Sequence, residues 1–161
     1  MPAGSTYTPI AAVTASGSNT TQVVMSSIPS TYTDLILIGN IPTTLVGINA
    51  YLQFNADYST NYSWTRLFGD GSSASSGRGT SQNGINYLVN DYTTTICHIQ
   101  NYSNSTTFKT AIVRANNPSD YVTATVGLWR NTAAINAIRV DFDGNTIPSG
   151  TTFTLYGIAS A

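Results

Sequence analysis

Glutamate is absent from this chain of 161 residues, lysine occurs once, and charged residues make up only 8% of the whole, where about 25% is usual. Helices rich in Glu, Lys and Leu are thereby excluded, since the residues that favour helix are scarce. A single cysteine, Cys97, rules out an internal disulfide and a redox pair. One histidine, one cysteine and no glutamate also leave few side chains from which to build an enzyme. Six Lys and Arg against seven Asp give a net charge of −1, too little positive charge for a nucleic-acid footprint or for anionic lipid. No apolar run approaches the roughly 18 residues of a membrane-spanning helix. The opening MPAGSTYTPI has neither the basic nor the apolar region of a secretory signal.

What is abundant points one way. The chain holds 25 threonines, 18 serines, 15 asparagines and 10 tyrosines. Thr, Val, Ile, Tyr and Phe suit a pleated, half-buried surface, so the fold class is all-β. At this length one domain over residues 1–161 can bury roughly 70% of its unfolded surface. Strand-sized runs recur at 6–15, 21–28, 34–40, 48–55, 63–68, 85–89, 93–100, 107–115, 121–130, 136–142 and 151–158. Leu35 to Ile38 is continuously apolar, as in a strand covered on both faces. In 121–130 the alternation turns Val122, Ala124, Val126 and Leu128 inward and Thr123, Thr125 and Gly127 outward. In 136–142 it turns Ile138, Val140 and Phe142 inward. Residues 69–84, GDGSSASSGRGTSQNG, hold almost nothing large enough to bury and read as the longest loop. About ten short antiparallel strands in one domain fit a jelly-roll-like β-sandwich.

Few constellations carry chemistry. Cys97 and His98 are neighbours on a strand and point to opposite faces, so they form no nucleophile–base pair. No Gly-x-Ser-x-Gly elbow marks a catalytic serine. Asp141, Asp143 and Gly144 resemble the start of a calcium loop, but the closing acid falls on Thr152. Asp143-Gly144 reads better as a hairpin turn, as do Asp70-Gly71 and Asn83-Gly84. Neither a metal nor a cofactor is expected. The Asn-x-Ser/Thr triplets at Asn19, Asn61, Asn101 and Asn104 are by-products of composition. Tyr58, Tyr62 and Trp64, in NADYSTNYSW, form a candidate aromatic contact surface able to stack on a sugar ring. Residues 1–8 form a candidate extended arm, with Tyr7, Thr8 and Pro9 as contact residues.

The segments SSIPSTYTDLILIGN (26–40), YLQFNADYSTNYSWTRLFGDGSSASSGRGT (51–80), VGLWRNTAAINAIRV (126–140) and GTTFTLYGIASA (150–161) resemble small structural proteins of tailed bacteriophage virions. That resemblance implies a non-enzymatic virion subunit. The leading expectation is a capsid cement, or decoration, protein that bridges capsomers on the outer surface of the head and contacts the major capsid protein or another virion protein. Counted from Met1, the chain is too short for both a fibre shaft and a head, which favours decoration over a fibre. The alternative is a tail-tip or tail-fibre module that binds host carbohydrate. The low charge and surplus aromatics favour a homo-oligomer, a trimer first, since interfaces favour Tyr and Trp and shed Lys and Glu.

Overall fold

The computed structural model describes residues 6–42, 48–89, 94–117 and 121–159. They form twelve strands: β1 (Tyr7–Thr14), β2 (Gln22–Met25), β3 (Asp34–Asn40), β4 (Asn49–Phe54), β5 (Tyr62–Gly69), β6 (Ala74–Gln82), β7 (Ile85–Val89), β8 (Thr94–Gln100), β9 (Lys109–Asn117), β10 (Tyr121–Trp129), β11 (Ile138–Asp141) and β12 (Thr152–Ile158). An eight-stranded sheet runs β1-β12-β3-β8-β9-β10-β5-β6, and a four-stranded sheet runs β2-β11-β4-β7. Every strand pair in both sheets is antiparallel. The two sheets make a β-sandwich, and the core lies between them.

Alternation within each strand selects what enters that core. From the large sheet come Leu35, Leu37, Cys97, Ile99, Val113, Phe153 and Leu155; from the small sheet come Val23, Met25, Leu52, Phe54, Ile138 and Val140. Phe142 follows them inward, against Phe153 at 6.3 Å between rings. An aromatic cluster of Phe54, Tyr62 and Trp129 closes one end, Tyr62 and Trp129 lying stacked at 6.2 Å. Lys109 is buried as well, its Nζ donating to Thr107 O at 2.7 Å and Thr132 O at 2.9 Å.

Three expectations change. Residues 74–82 are a strand, not loop: β6 pairs with β5 from Gly69↔Ala74 to Trp64↔Gly79. Backbone pairing needs no apolar side chain, and an edge strand of small and polar residues, most of them exposed, gives no hydrophobic period to read. The turn of this hairpin is Asp70-Gly71-Ser72-Ser73, with Gly71 at φ 86°, a left-handed conformation suited to glycine. Asp143-Gly144 is a tight turn, both residues at positive φ and Asn145 N–H donating to Phe142 O at 3.0 Å. Neither it nor Asn83-Gly84, between β6 and β7, makes a hairpin, because in each case the strand that follows belongs to the other sheet.

The third change is in β10. Thr123, Thr125, Gly127 and Trp129 face the core, while Val122, Ala124 and Val126 stand outside. Period 2 allows only one face inward, and Trp129, wholly buried in the aromatic cluster, sets the parity. Gly127 fits it: a Cβ there would lie 2.4 Å from Ile85 Cγ2 of the opposing sheet.

Candidate functional site

The inverted β10 leaves an apolar surface on the outer face of the large sheet. Val122, Ala124, Val126 and Leu128 stand beside Gly69, Leu67, Thr65 and Ser63 of β5. On their other side are Asn116, Arg114, Ile112 and Thr110 of β9. Leu67 is 61% exposed, Val122 60%, Val126 55% and Ile112 37%. A groove of about 630 Å³ runs over this surface between Leu67, Val122, Ala124, Ile96 and Arg114. A second hollow, of about 430 Å³, continues it past Val126 and Leu128 to Arg78 and Arg130.

The positive charge of the molecule gathers at the same place. Arg139 pairs with Asp141, Arg66 donates to Asn86 Oδ1 at 3.3 Å from the inner side of β5, and Lys109 is buried on carbonyls. The remaining three cations, Arg78, Arg114 and Arg130, are all exposed at this face. Among the described residues none of the three has a carboxylate within salt-bridge distance. Arg130 is held by Ser63, its Nη2 donating to Oγ at 2.9 Å. An apolar centre rimmed by guanidinium groups suits a protein surface of opposite charge, since Arg is enriched at interfaces and keeps its charge at a partly desolvated site.

The residues singled out from sequence do not converge. Tyr58 is 53% exposed beside the small sheet, with the Arg139 guanidinium 4.7 Å from its ring centroid. Tyr62 is fully buried: its hydroxyl accepts from Phe54 N–H at 2.9 Å and donates to Asp57 O at 3.1 Å. Burial pushes that phenol well above its ordinary range. Trp64 is half-buried on the inner face, packed against Gly79 and 5.7 Å from the Arg66 guanidinium. These three aromatics therefore do not present one surface. Tyr62 is a core residue because the strand end at Phe54 needs its hydroxyl.

Tyr7, Thr8 and Pro9 lie in β1, paired to Ile158, Gly157 and Tyr156 of β12. Tyr7 packs edge-on to Tyr156 at 6.3 Å. Whatever part of residues 1–8 serves as an arm excludes Tyr7 and Thr8, which belong to the sheet; residues 1–5 lie outside the described residues.

Asp57 organises the polar-aromatic segment. Its carboxylate accepts from Ser59 N–H at 3.0 Å, Ser59 O–H, Asn61 Nδ2 at 2.9 Å and Trp129 Nε1 at 2.8 Å. Burial alone raises the pKa of such a group, but these hydrogen bonds outweigh it and hold the carboxyl down at about 2. His98 Nε2 meets Asp34 Oδ2 at 2.8 Å, and Asp34 Oδ1 accepts from Asn101 N–H at 2.7 Å. The cross-strand neighbours of His98 are Ile36 and Ile112, so its partners are structural. Cys97 is buried on the opposite face, and its thiol is pushed far up by desolvation. Among the described residues no three His, Cys, Asp or Glu side chains converge.

Alternation alone pointed the apolar side of β10 inward; that this side is the exposed one shows only when Trp129 is placed. Among known proteins, no family model and no curated protein matches this chain.

Proposed function

We propose that this protein is a non-enzymatic structural subunit of a phage virion, most closely a capsid cement protein, and that it binds its neighbours through the outer face of β9, β10, β5 and β6. One observation carries the reading. The fold turns the more apolar side of β10 away from its own core, next to Leu67 and Ile112 and inside a rim of three arginines. An exposed apolar patch of this kind, rimmed by polar groups, marks an interaction site. The partner that fits is an acidic protein surface with an apolar centre. A homo-oligomer, with a trimer favoured by composition, is part of the proposal. The alternative of a carbohydrate-binding tail module loses support from the separation of Tyr58, Tyr62 and Trp64.

The test is position and copy number in purified virions. The cement reading expects many copies distributed over the shell, seen as added density on the capsid surface and as a strong band on a stained gel. A few copies confined to the tail would refute it.

A further inference from the structure

The two edges of the large sheet are treated differently. The β1 edge carries Pro9 and a register shift between Pro9 and Ala11, both devices that hinder the addition of another strand. The β6 edge has neither between Ala74 and Gly79, where its pairing with β5 is regular. Its side chains there are Ala, Ser, Ser, Gly, Arg and Gly, with Ala74, Ser75, Ser76 and Arg78 exposed. Arg78 is the one long side chain between Ala74 and Gly79.

The turn shows which groups are open. Asp70 N–H donates to Ser73 O at 3.2 Å, so Asp70 and Ser73 close the hairpin as a hydrogen-bonded pair. By the alternation of an antiparallel ladder, the next bonded pairs are Phe68/Ser75, Arg66/Gly77 and Trp64/Gly79. Ala74, Ser76 and Arg78 therefore direct their N–H and C=O groups away from β5, along the open edge.

We propose that β6 is a strand-addition edge whose occupant is β6 of a second copy, paired antiparallel about Ser76. A twofold pairing centred there sets Ser76 opposite the partner's Ser76 and Arg78 opposite the partner's Ala74, so the three outward-facing residues meet as hydrogen-bonded pairs. Centring on Arg78 instead would oppose two guanidinium groups, which is unfavourable. In the Ser76 register each Arg78 also faces the end of the partner strand that leads to Asp70, a charge of opposite sign. Asp70 is ionised for this: hydrogen bonds from the backbone and hydroxyls of Ser72 and Ser73 hold its carboxyl far below the usual range. Small side chains let the backbones approach to ladder distance, and the joined sheets align the Leu67 ridges of both copies on one continuous outer face. The inference does not depend on the virion reading.

Site-directed cross-linking tests it. Opposed residues of a bonded pair have Cα atoms about 5.5 Å apart, within disulfide range. Ser76→Cys should give a covalent dimer under mild oxidation, and buried Cys97 should contribute none. Thr80→Cys should fail: in this register the two Thr80 lie eight residues apart along the ladder, roughly 26 Å. Ser76→Pro removes an outward N–H without touching the β5 ladder, so its circular dichroism should match the wild type. The wild-type mass by light scattering should then exceed that of Ser76→Pro, by twofold where no other face associates. Equal masses, or cross-linking of Thr80→Cys as efficient as that of Ser76→Cys, would overturn the proposal. An absence of cross-linking at Ser76 would overturn it too, leaving the edge to a strand from another chain.

Discussion

Replacing Tyr62 by Phe removes one oxygen from the core and nothing else. The ring stays stacked on Trp129 at 6.2 Å and beside Phe54, so no cavity opens. What changes is the end of β4: Phe54 N–H loses its acceptor at 2.9 Å, and Asp57 O loses a donor at 3.1 Å. Phe54 is fully buried, so water cannot replace the hydroxyl, and an unsatisfied buried amide costs about 1–3 kcal/mol. Taking about 2 kcal/mol, and about 2–4 °C per kcal/mol for a domain of this size, Tm should fall by roughly 4–8 °C. Urea unfolding should show a lower midpoint with an unchanged slope, because the surface exposed on unfolding is the same. A change in stability below about 0.5 kcal/mol, the usual bound for surface substitutions, would refute the reasoning and return Tyr62 to the surface role suggested by its polar neighbours.

Gly127→Ala places a methyl group within 2.6 Å of three Ile85 atoms, and overpacking of this kind should cost about 1–3 kcal/mol in a denaturant titration. Asp57, held at about 2 by its donors, has a depressed folded-state pKa. Its contribution to stability is therefore complete above the ordinary carboxyl range near 4 and is lost as pH falls from about 4 to about 2. Asp57→Asn should flatten that part of the stability–pH curve, while an unchanged curve would assign the acid sensitivity elsewhere. Asn55 accepts from Asn136 and Ala137 N–H and donates to Ala134 O, at φ 51°. Asn55→Ala should lower Tm and speed amide exchange at Asn136 and Ala137, which an unaltered exchange rate would contradict.

The pattern in the sequence was legible where an element buries one face against the opposing sheet. Asp34–Asn40 and Ile85–Val89 have the bounds their apolar runs imply, and Ile138 and Val140 face inward as alternation requires. Legibility failed where burial is not the organising force. β6 is held by its backbone, with small and polar residues that are mostly exposed, so hydrophobic periodicity is silent along it. β10 carries a clear alternation whose direction depends on a single tryptophan docking with Phe54 and Tyr62, two strands that lie far away in sequence. Choosing the more apolar face as the inner one is sound for a protein that meets only water. It fails for β10, where the docking of Trp129 sets the parity and leaves that face exposed. Part of the candidate contact surface is hidden for the same reason: alternation alone turns Val122, Ala124, Val126 and Leu128 inward.

The outer face of β10 is thus the claim on which the account stands. Val122→Asp and Val126→Asp place carboxylates on it at positions 60% and 55% exposed, where folding should be barely affected. The decisive measurement is occupancy of these variants on purified capsids that lack the protein, beside wild-type protein at equal concentration. The account predicts wild-type decoration, loss of binding in both variants and Tm values within about 2 °C of each other. Full decoration by either variant would show that the contact lies elsewhere on the sandwich.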